Sequence, residues 1–592
     1  MTDPASDASL ALATEQDEHT RDEWEATAAA VLRKARRLGE DDPDRLVWDK
    51  LTRQTLDGIG ITPLGTPSDL EGVRTAGRPT RAGVWDVRAR LAGADEKVLN
   101  GHALVDLEGG VTSLWVRLEP DTDLAVLLDK VLLDLAPVVI EAREPMAAAR
   151  ALVALADDNG VTLHADTNLG ADPVGEWLRG DAGRDRAPEP QVTAVEEVAL
   201  LAREKGVRGV VVDATAVHDR GASDVQELGY SMAVGAAYLR ALTDGAGLDV
   251  AEAAALIEFR YAATDEQFPT IAKLRAARRL WARMLELSGV EPANVEQRQH
   301  VVTSRPMLSK YDPYVNMLRT TVAAFAAGVA GADAVTVLPF DSPLGQPDTF
   351  GRRIARNVSH LLVDESHVHE VADPAGGAFA VEKLTDDMAV AGWAELGRIE
   401  ETGGIETALA DGSLHARIDD VVVRREREVA TRKRPITGLT EFPNLAETLP
   451  PREPTTDPTE DVRRYGAAFE ALRDEPAGTA VLLATMGTIA QHTARATFAT
   501  NLFAAGGIAV DVAGPTTGPD DLTRAHAGHP VVCLAGPDTA YAEWGEAAAS
   551  ALREAGARHV IIAGKATDYV DDSCAVGVDA LAFLTRTREK LQ

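Results

Sequence analysis

A long alternation of short apolar runs with longer amphipathic segments, over residues 80–435, constrains the fold of this chain most strongly. Short apolar runs bounded by turn signals are typical of buried strands, and the longer segments carry helical spacing. Repeated strand–helix units place their strands in parallel, so the region predicts an α/β domain. The spacing leaves open whether the strands close into an eight-stranded barrel or form an open sheet. The clearest strands are predicted at Ala136–Glu141, Val161–Asp166, Val207–Asp213 and Ala334–Phe340, with helices at Met146–Asp157 and Val195–Lys205.

A second, smaller α/β unit follows a proline-rich segment. Residues 436–475 contain five prolines among threonines and acidic residues, which predicts a semi-rigid linker that becomes helical over residues 461–474. Residues 476–592 return to strand–helix alternation. A unit of this length suits a flavodoxin-like doubly wound domain, whose ligands bind beyond the carboxyl ends of the strands. Its strands are predicted at Thr479–Ala484, Ala509–Val512, Val531–Ala535 and Val560–Ala563.

Residues 1–40 form a separate N-terminal segment. Residues 1–20 are polar and acidic, which predicts disorder. Residues 21–38 repeat apolar side chains at three- and four-residue spacing, which predicts an amphipathic helix. That helix either packs back on the main domain, residues 41–435, or docks on a partner subunit. Its apolar stripe consists of Trp24, Ala28, Val31, Leu32, Ala35 and Leu38.

The composition narrows the class of protein. A chain of 592 residues is too long for one hydrophobic core, so two or three domains are expected. The formal net charge of −33 argues against nucleic-acid and anionic-membrane partners, because both require a positive surface. Two cysteines, Cys533 and Cys574, exclude a disulfide framework and are predicted to be small buried side chains. No apolar stretch reaches the roughly 20 residues of a membrane span, and the start is acidic where a signal peptide is basic, so a cytoplasmic protein is predicted.

Residues 485–495 join a predicted buried strand to an alanine-rich helix predicted from Ala494. They read Thr-Met-Gly-Thr-Ile-Ala-Gln-His-Thr-Ala-Arg. Four further segments precede them in order, at residues 55–64, 271–281, 351–357 and 373–379; the last reads Asp-Pro-Ala-Gly-Gly-Ala-Phe. Together these segments resemble the methylmalonyl-CoA mutase family of acyl-CoA mutases, over residues 20–592. The resemblance implies a (β/α)8 TIM-type barrel followed by a flavodoxin-like doubly wound cobalamin-binding-type domain, with functional residues at the carboxyl ends of the barrel strands.

The resemblance assigns a cofactor loop to residues 485–495, and this loop departs from the family pattern. In the family it carries Asp-x-His-x-x-Gly: the His coordinates the cobalt of adenosylcobalamin, the Asp orients the His, and the Gly leaves room for the nucleotide tail. The corresponding positions here are Ile489, Gln491 and Ala494, which cannot supply that chemistry. His492 lies one residue past the ligand position. We therefore expect no cofactor in this chain.

Candidate catalytic positions in the barrel depart from the family as well. His218 falls where catalytic members carry a His that hydrogen-bonds the substrate thioester carbonyl, but the loop after it is two residues shorter. Arg90 falls where they carry a Tyr over the substrate, and an arginine cannot mimic that ring. His300 is kept, but the two polar residues after it have become Val301 and Val302. We interpret His218 as vestigial and structural, and predict a barrel packed with apolar side chains.

A histidine-rich stretch is a candidate metal site. His360, His367 and His369 lie close together, with no cysteine nearby and with acidic residues of the kind common on surfaces. Such a group is usually a polar surface, so no metal site is predicted.

The favoured hypothesis is a non-catalytic structural subunit of a heterodimeric mutase. The resemblance implies that a catalytic large (alpha) subunit is the partner. That subunit would bind adenosylcobalamin and the acyl-CoA, and interconvert methylmalonyl-CoA and succinyl-CoA by radical chemistry. One alternative is a self-sufficient acyl-CoA mutase that binds cobalamin through a variant loop, with His492 as the ligand. Another is an acyl-CoA-binding protein without catalysis.

Overall fold

The computed structural model describes residues 19–73, 79, 81, 83–180, 191–291, 296–455, 457 and 462–592. The predicted disordered tail falls almost wholly outside these ranges. Within them the strands are β1 Arg53–Gln54, β2 Gly60–Ile61, β3 Asp86–Leu91, β4 Ser113–Leu118, β5 Val138–Ala142, β6 Asn168–Ala171, β7 Arg208–Asp213, β8 Ile257–Ala263, β9 Arg298–Thr303, β10 Ala334–Thr336, β11 Val481–Thr485, β12 Val510–Val512, β13 Val531–Ala535, β14 His559–Ala563 and β15 Asp572–Cys574.

The α-helices in the same ranges are α1 Arg21–Lys34, α2 Val47–Leu51, α3 Glu96–Glu108, α4 Leu124–Leu127, α5 Pro145–Asp158, α6 Pro173–Gly180, α7 Val195–Lys205, α8 Thr215–His218, α9 Asp224–Arg240, α10 Val250–Ala255, α11 Gln267–Leu287, α12 Val315–Val329, α13 Thr349–His360, α14 Phe379–Glu401, α15 Ile405–Ala410, α16 Ser413–Ala430, α17 Ala467–Asp474, α18 Ile489–Ala505, α19 Pro519–Ala525, α20 Asp538–Ala540, α21 Glu546–Glu554 and α22 Ala580–Leu591.

Strands β3 to β10 close into a parallel barrel in the order β10-β3-β4-β5-β6-β7-β8-β9. The closure is made by β10, which pairs with β3 on one side and β9 on the other. Helices alternate with the strands along the chain, and their apolar faces pack on the outside of the barrel in one continuous core. The alternation therefore produces the TIM-type barrel that the resemblance implied, rather than the open sheet that the spacing also allowed.

Most predicted barrel elements are confirmed, and one is wrong. Helix α7 matches its predicted bounds, and β5, β7 and β10 overlap theirs. The strand predicted at Val161–Asp166 is wrong, because the chain turns there, with the Thr167 N–H donating to the His164 carbonyl at 2.9 Å. Pairing with β5 begins only at Asn168, opposite Val139. Apolar character alone placed this strand too early, since Val161 and Leu163 are apolar without being paired.

The C-terminal unit is a parallel five-stranded sheet in the order β12-β11-β13-β14-β15. Both faces are covered: Val481 and Leu483 pack toward α18 and α22, whereas Leu482 and Ala484 pack toward α19 and α21. Such two-sided burial explains the continuous apolar runs of its strands. The strand order is consistent with the predicted flavodoxin-like class. The short, polar β15 was not predicted.

The described part of the proline-rich linker is packed against both domains. Glu447 accepts a hydrogen bond from the Asp312 N–H at 2.8 Å, and Arg452 binds Asp341 at 2.7 Å. Phe469 of the following helix α17 lies in the core of the C-terminal sheet. The linker thus fixes the two domains against each other instead of acting as a free spacer.

The N-terminal helix α1 is confirmed, and it packs on the residues that follow it. Ala29 and Leu32 are buried against Leu38 and Val47, and the Trp24 and Trp48 rings lie 4.7 Å apart. We call residues 20–51 the N-terminal unit. Val31, a member of the predicted stripe, stays 64% exposed. Elsewhere, no helix in the described ranges is long and apolar enough to cross a membrane.

Candidate functional site

The barrel lumen is filled around one tryptophan. Trp115 on β4 is fully buried, and the Arg260 guanidinium on β8 lies 4.0 Å from its ring centroid. Strands β4 and β8 stand on opposite sides of the eight-stranded ring, so this contact spans the lumen. The His300 ring meets Trp115 edge-on, with centroids 5.3 Å apart. A cation stacked on an indole is a favourable arrangement in a site without water.

Charged side chains that point into the lumen are neutralised in pairs. Arg88 binds Glu258 at 2.8 Å with both side chains fully buried, and Arg260 binds Asp213 at 2.9 Å. Burial raises the pKa of a carboxyl group, but here the arginines outweigh it. They lower the pKa of Glu258 to about 2 and hold the pKa of Asp213 well below its ordinary value. Both carboxylates therefore stay ionised.

His300 is a neutral bridge within this network. Its Nδ1 accepts a hydrogen bond from Arg260 Nε at 3.1 Å, and its Nε2 lies 2.8 Å from Thr336 Oγ1. Burial, followed by repulsion from Arg88 and Arg260, lowers the pKa of His300 well below its ordinary value. The ring therefore ties β8, β9 and β10 together as a neutral imidazole.

At the carboxyl end of the barrel, Arg90 connects the ion pairs of the lumen to the linker. Its guanidinium binds Asp457 and lies 4.6 Å from the Trp115 ring centroid. Glu141 lies 3.9 Å from the same guanidinium and 3.0 Å from Arg117. Arg90 thus anchors a linker residue over the lumen.

The prediction that apolar side chains fill the lumen is wrong. The lumen is filled, but by ion pairs and Trp115 rather than by aliphatic side chains. The prediction overlooked an available signal: charged residues recur at every second position in otherwise apolar strands, as in Asp86-Val-Arg88-Ala-Arg90 and Glu258-Phe-Arg260. Alternate residues of a strand share one face, so these side chains had to share the inner face. The residues missed in this way are Arg88, Trp115, Arg117, Glu141, Asp213, Glu258 and Arg260.

His218 ends the short helix α8 after β7 and is buried. Its Nε2 lies 2.7 Å from Ser304 Oγ. Its Nδ1 lies 3.3 Å from Glu227 Oε2 but lacks the geometry of a hydrogen bond. Glu227 is itself bound by Lys273 at 2.6 Å. These contacts tie the ends of β7 and β9 to α9 and α11, as a structural histidine would.

One face of His218 borders a cavity of about 370 Å³ outside the lumen. The β1–β2 hairpin forms one wall, where Asp57 accepts hydrogen bonds from the Ser223 hydroxyl and from the Val225 N–H at 3.3 Å. Helices α12 and α16 and the linker form the others. Residues 55–64, one of the family-like segments, therefore serve to cover this cavity.

The three positions that the resemblance assigns to the cofactor loop, Ile489, Gln491 and Ala494, lie on helix α18 rather than on a loop. Helix α18 begins at Ile489, five residues before the predicted start at Ala494. The cause is a capping box, because Gln491 Oε1 accepts hydrogen bonds from the Thr488 N–H at 2.8 Å and from the Thr488 hydroxyl at 2.9 Å. Gly487, with φ of +91°, makes the turn that precedes the cap. Gln491 is thus committed to the backbone, and Ile489 is 64% exposed.

The crevice beside this helix is crossed by an arginine. Arg495 donates to the Gly536 carbonyl at 2.8 Å and to Asp538 at 2.5 Å, and its guanidinium lies 4.9 Å from the Tyr541 ring centroid. Gly536 follows β13, so Arg495 joins α18, the helix after β11, to the loop after β13. The strand order reverses between β11 and β13, and doubly wound sheets bind ligands at such a point. His492 is buried, with its Nδ1 3.3 Å from the Gly487 carbonyl. These residues do not fit a cobalamin: the position of the orienting acid is apolar, the ligand position is a helix cap, and the crevice is occupied.

The other family-like segments hold the barrel together. Arg275 on α11 binds Asp373, and it also binds Glu382 at 2.9 Å. Arg352 and Arg356 on α13 both bind Asp106 on α3. These segments therefore join helices that lie far apart in sequence.

The remaining sequence candidates have local partners. His360 lies 3.1 Å from Asp364 and 2.9 Å from the Gly109 carbonyl, and the His367 and His369 rings are 6.4 Å apart. No group of three or more His, Cys, Asp or Glu within the described residues could hold a metal ion. Cys533 and Cys574 are free and buried, as predicted.

Comparison with known proteins gives one consistent result. The methylmalonyl-CoA mutase family matches residues 102–510. The chain is 44% identical to the methylmalonyl-CoA mutase small subunit of Streptomyces virginiae, over 99% of each chain. It is 40% identical to a probable small subunit of Mycobacterium tuberculosis, over 92% of each chain. It is 35% identical to the small subunit of Propionibacterium freudenreichii subsp. shermanii, over 97% of this chain and 93% of that one.

Proposed function

Because the chain belongs to the methylmalonyl-CoA mutase family, we propose that it is the non-catalytic small subunit of a heterodimeric mutase. A catalytic large subunit would be its partner in the cytoplasm. That subunit would bind adenosylcobalamin and the acyl-CoA, and would interconvert methylmalonyl-CoA and succinyl-CoA. This chain would stabilise it through a large shared interface, as obligate partners do. Its C-terminal sheet would then be a flavodoxin-like, cobalamin-binding-type domain that no longer binds the cofactor.

The observation that carries this proposal is the contact of Arg260 with Trp115 across the lumen. An acyl-CoA that threaded the barrel would have to displace this stack and separate the buried pairs of Arg88 with Glu258 and Arg260 with Asp213. Breaking one such pair by removing a partner costs about 3–5 kcal/mol. That cost opposes a substrate path through this chain.

The C-terminal domain supports the same proposal independently. A cobalt ligand must project from the carboxyl end of β11, and there the chain instead enters a capped helix at Ile489. Gln491 is held by the cap, and Arg495 fills the adjacent crevice. A metal-ligating histidine also needs a partner for its second nitrogen, and Ile489 cannot provide one.

The experiment is a cofactor titration of the purified chain, alone and with its large subunit. We expect no change in the visible spectrum of adenosylcobalamin with the chain alone, and one cofactor per heterodimer with the pair. Mutase turnover should appear only with the pair. Stoichiometric binding by the chain alone at micromolar cofactor would overturn the proposal in favour of a self-sufficient mutase.

We also propose that the N-terminal unit docks on the large subunit, because its own core leaves Val31 on an exposed face. Burial of a valine contributes about 1.5 kcal/mol, so Val31→Asp should weaken association at least about tenfold. The melting temperature of the isolated chain should not change. Val105→Asp, at a 56% exposed valine on α3, is the matched control. Equal effects of the two variants on association, measured by analytical ultracentrifugation, would contradict docking through this unit.

A further inference from the structure

The cavity beside His218 is lined by apolar side chains and by arginines. Its apolar lining includes Met307, Val315 and Val322, and Leu318 at its rim is 68% exposed, so the cavity opens to solvent. A volume of about 370 Å³ lies at the small end of the range for ligand pockets. It suits a small molecule better than one that carries a nucleotide.

Arg425 on α16 is the unusual member of the lining. It is only 6% exposed, donates to the Gly221 carbonyl at 2.7 Å and to the Ala222 carbonyl at 3.1 Å, and lies 4.7 Å from the Tyr465 ring centroid. Its Nε has no hydrogen-bond partner among the residues that the structure describes. No carboxylate of the described residues lies within 4.0 Å of it, whereas the lumen arginines Arg88 and Arg260 each have one. A buried guanidinium without a counter-ion is costly, so an anion from solution would relieve that cost.

Arg319 on α12 is a second buried arginine of the lining. Its guanidinium donates to Asn316 Oδ1 at 2.7 Å and to the Thr437 carbonyl at 2.8 Å, and Asp265 approaches only to 4.0 Å. The lining also holds four acids, Asp57, Asp224, Asp265 and Glu266, and none of them lies within 4.0 Å of Arg425. Glu266 is bound by Arg53 at 3.2 Å. Asp224 is bound by Lys273 at 3.0 Å, and burial raises the pKa of Asp57 to about 6.

We propose that this cavity binds a small organic carboxylate with a short apolar body. The carboxylate would be received at Arg425, with Arg319 as a second cation of the lining, since guanidinium groups bind carboxylates in a fork geometry. The body would lie against Met307, Val315 and Val322. Such a site would let this chain respond to a small acid. It goes beyond the proposed function, and its test involves neither the cofactor nor the partner.

The experiment is calorimetric titration of the full chain with n-butyrate, with its neutral analogue butyramide, with inorganic phosphate and with acetyl-CoA. We expect butyrate to bind with a Kd of about 1 mM or tighter, and butyramide at least about tenfold more weakly. Arg425→Gln should weaken butyrate binding at least about tenfold. Val322→Phe, which adds bulk to the apolar lining and leaves both arginines in place, should do the same. Val390→Phe on α14, at a 65% exposed position outside the cavity, should change nothing.

Four results would overturn the proposal: equal binding of butyrate and butyramide, phosphate binding as tight as butyrate binding, acetyl-CoA binding without butyrate binding, and full binding by Val322→Phe. The Val322→Phe result tests the proposal even if Arg425→Gln lowers the melting temperature of the chain. Arg425 also holds the carbonyls of Gly221 and Ala222, so its loss alone would not separate folding from binding.

Discussion

The barrel lumen and the crevice of the C-terminal sheet are both occupied by the chain's own side chains, but they are filled in different ways. In the lumen, side chains from several strands meet at Trp115, and each of the buried arginines Arg88 and Arg260 has a carboxylate partner. In the crevice, one capped helix start and one side chain, Arg495, occupy the space. The first filling is distributed over the fold, and the second is local.

The difference teaches how much stability depends on each filling. A buried ion pair has lost its water on both sides, so removal of one partner leaves a charge without compensation. A helix cap at the surface exchanges its hydrogen bonds with water at small cost. We therefore expect substitutions in the lumen to lower the free energy of unfolding more than substitutions at the crevice.

The largest expected effect comes from Glu258→Gln in the lumen. This change removes the partner of Arg88 at 2.8 Å and leaves Asp86, at 2.9 Å, as its remaining carboxylate, so it should cost about 3 kcal/mol in the stability of the barrel, the low end for a broken buried pair. Thermal unfolding followed by circular dichroism measures it. The double variant Arg88→Met with Glu258→Met is the control, because it removes both charges and should cost clearly less. A single variant as stable as the wild type would show that the pair is not sealed from water.

Acid should act on the same pair. The pKa of Glu258 is lowered to about 2 in the folded chain from 4.5, so its ionised form stabilises the barrel at neutral pH. That contribution, about 3 kcal/mol, is present above about pH 4.5 and is lost as pH falls toward about 2. The barrel's melting temperature should fall across this window, and the double methionine variant should show a smaller fall. Parallel curves for the two proteins would contradict the assignment.

At the crevice, Gln491→Ala should have a smaller effect. It removes the acceptor of the Thr488 N–H and hydroxyl and should destabilise the C-terminal domain by about 1 kcal/mol. Hydrogen exchange of the α18 amides measures the effect, and because it is read at this helix it reports on the C-terminal domain. Ala490→Gly, a neighbouring change that leaves the cap in place, separates loss of the cap from a general loss of helix propensity. A cost as large as that of Glu258→Gln would erase the contrast between the two regions.

The parts of this contrast that the sequence could predict are the local ones. The span of α7 followed from helical spacing. That Gln491 is no cobalt ligand rests on residue types alone and stays a prediction. The early start of α18 was also readable, since Thr488 and Gln491 stand at capping-box spacing. The partner of Arg88 was not readable, because Glu258 lies 170 residues away and only the closed barrel brings them together.

The smallest expected effect concerns His218. This residue is buried, but it borders a cavity. Its Nε2 lies 2.7 Å from Ser304 Oγ, and under the proposed structural role His218→Gln should keep the turnover of the proposed complex within a few-fold of the wild type. Glutamine retains a hydrogen-bonding group of similar reach, and the chain should lose no more than about 1 kcal/mol of stability. Steady-state turnover of the purified complex, with its stoichiometry checked in parallel, is the measurement. A hundredfold loss of turnover with assembly intact would mean that this histidine takes part in the reaction. The barrel of this chain would then contribute to catalysis despite its filled lumen.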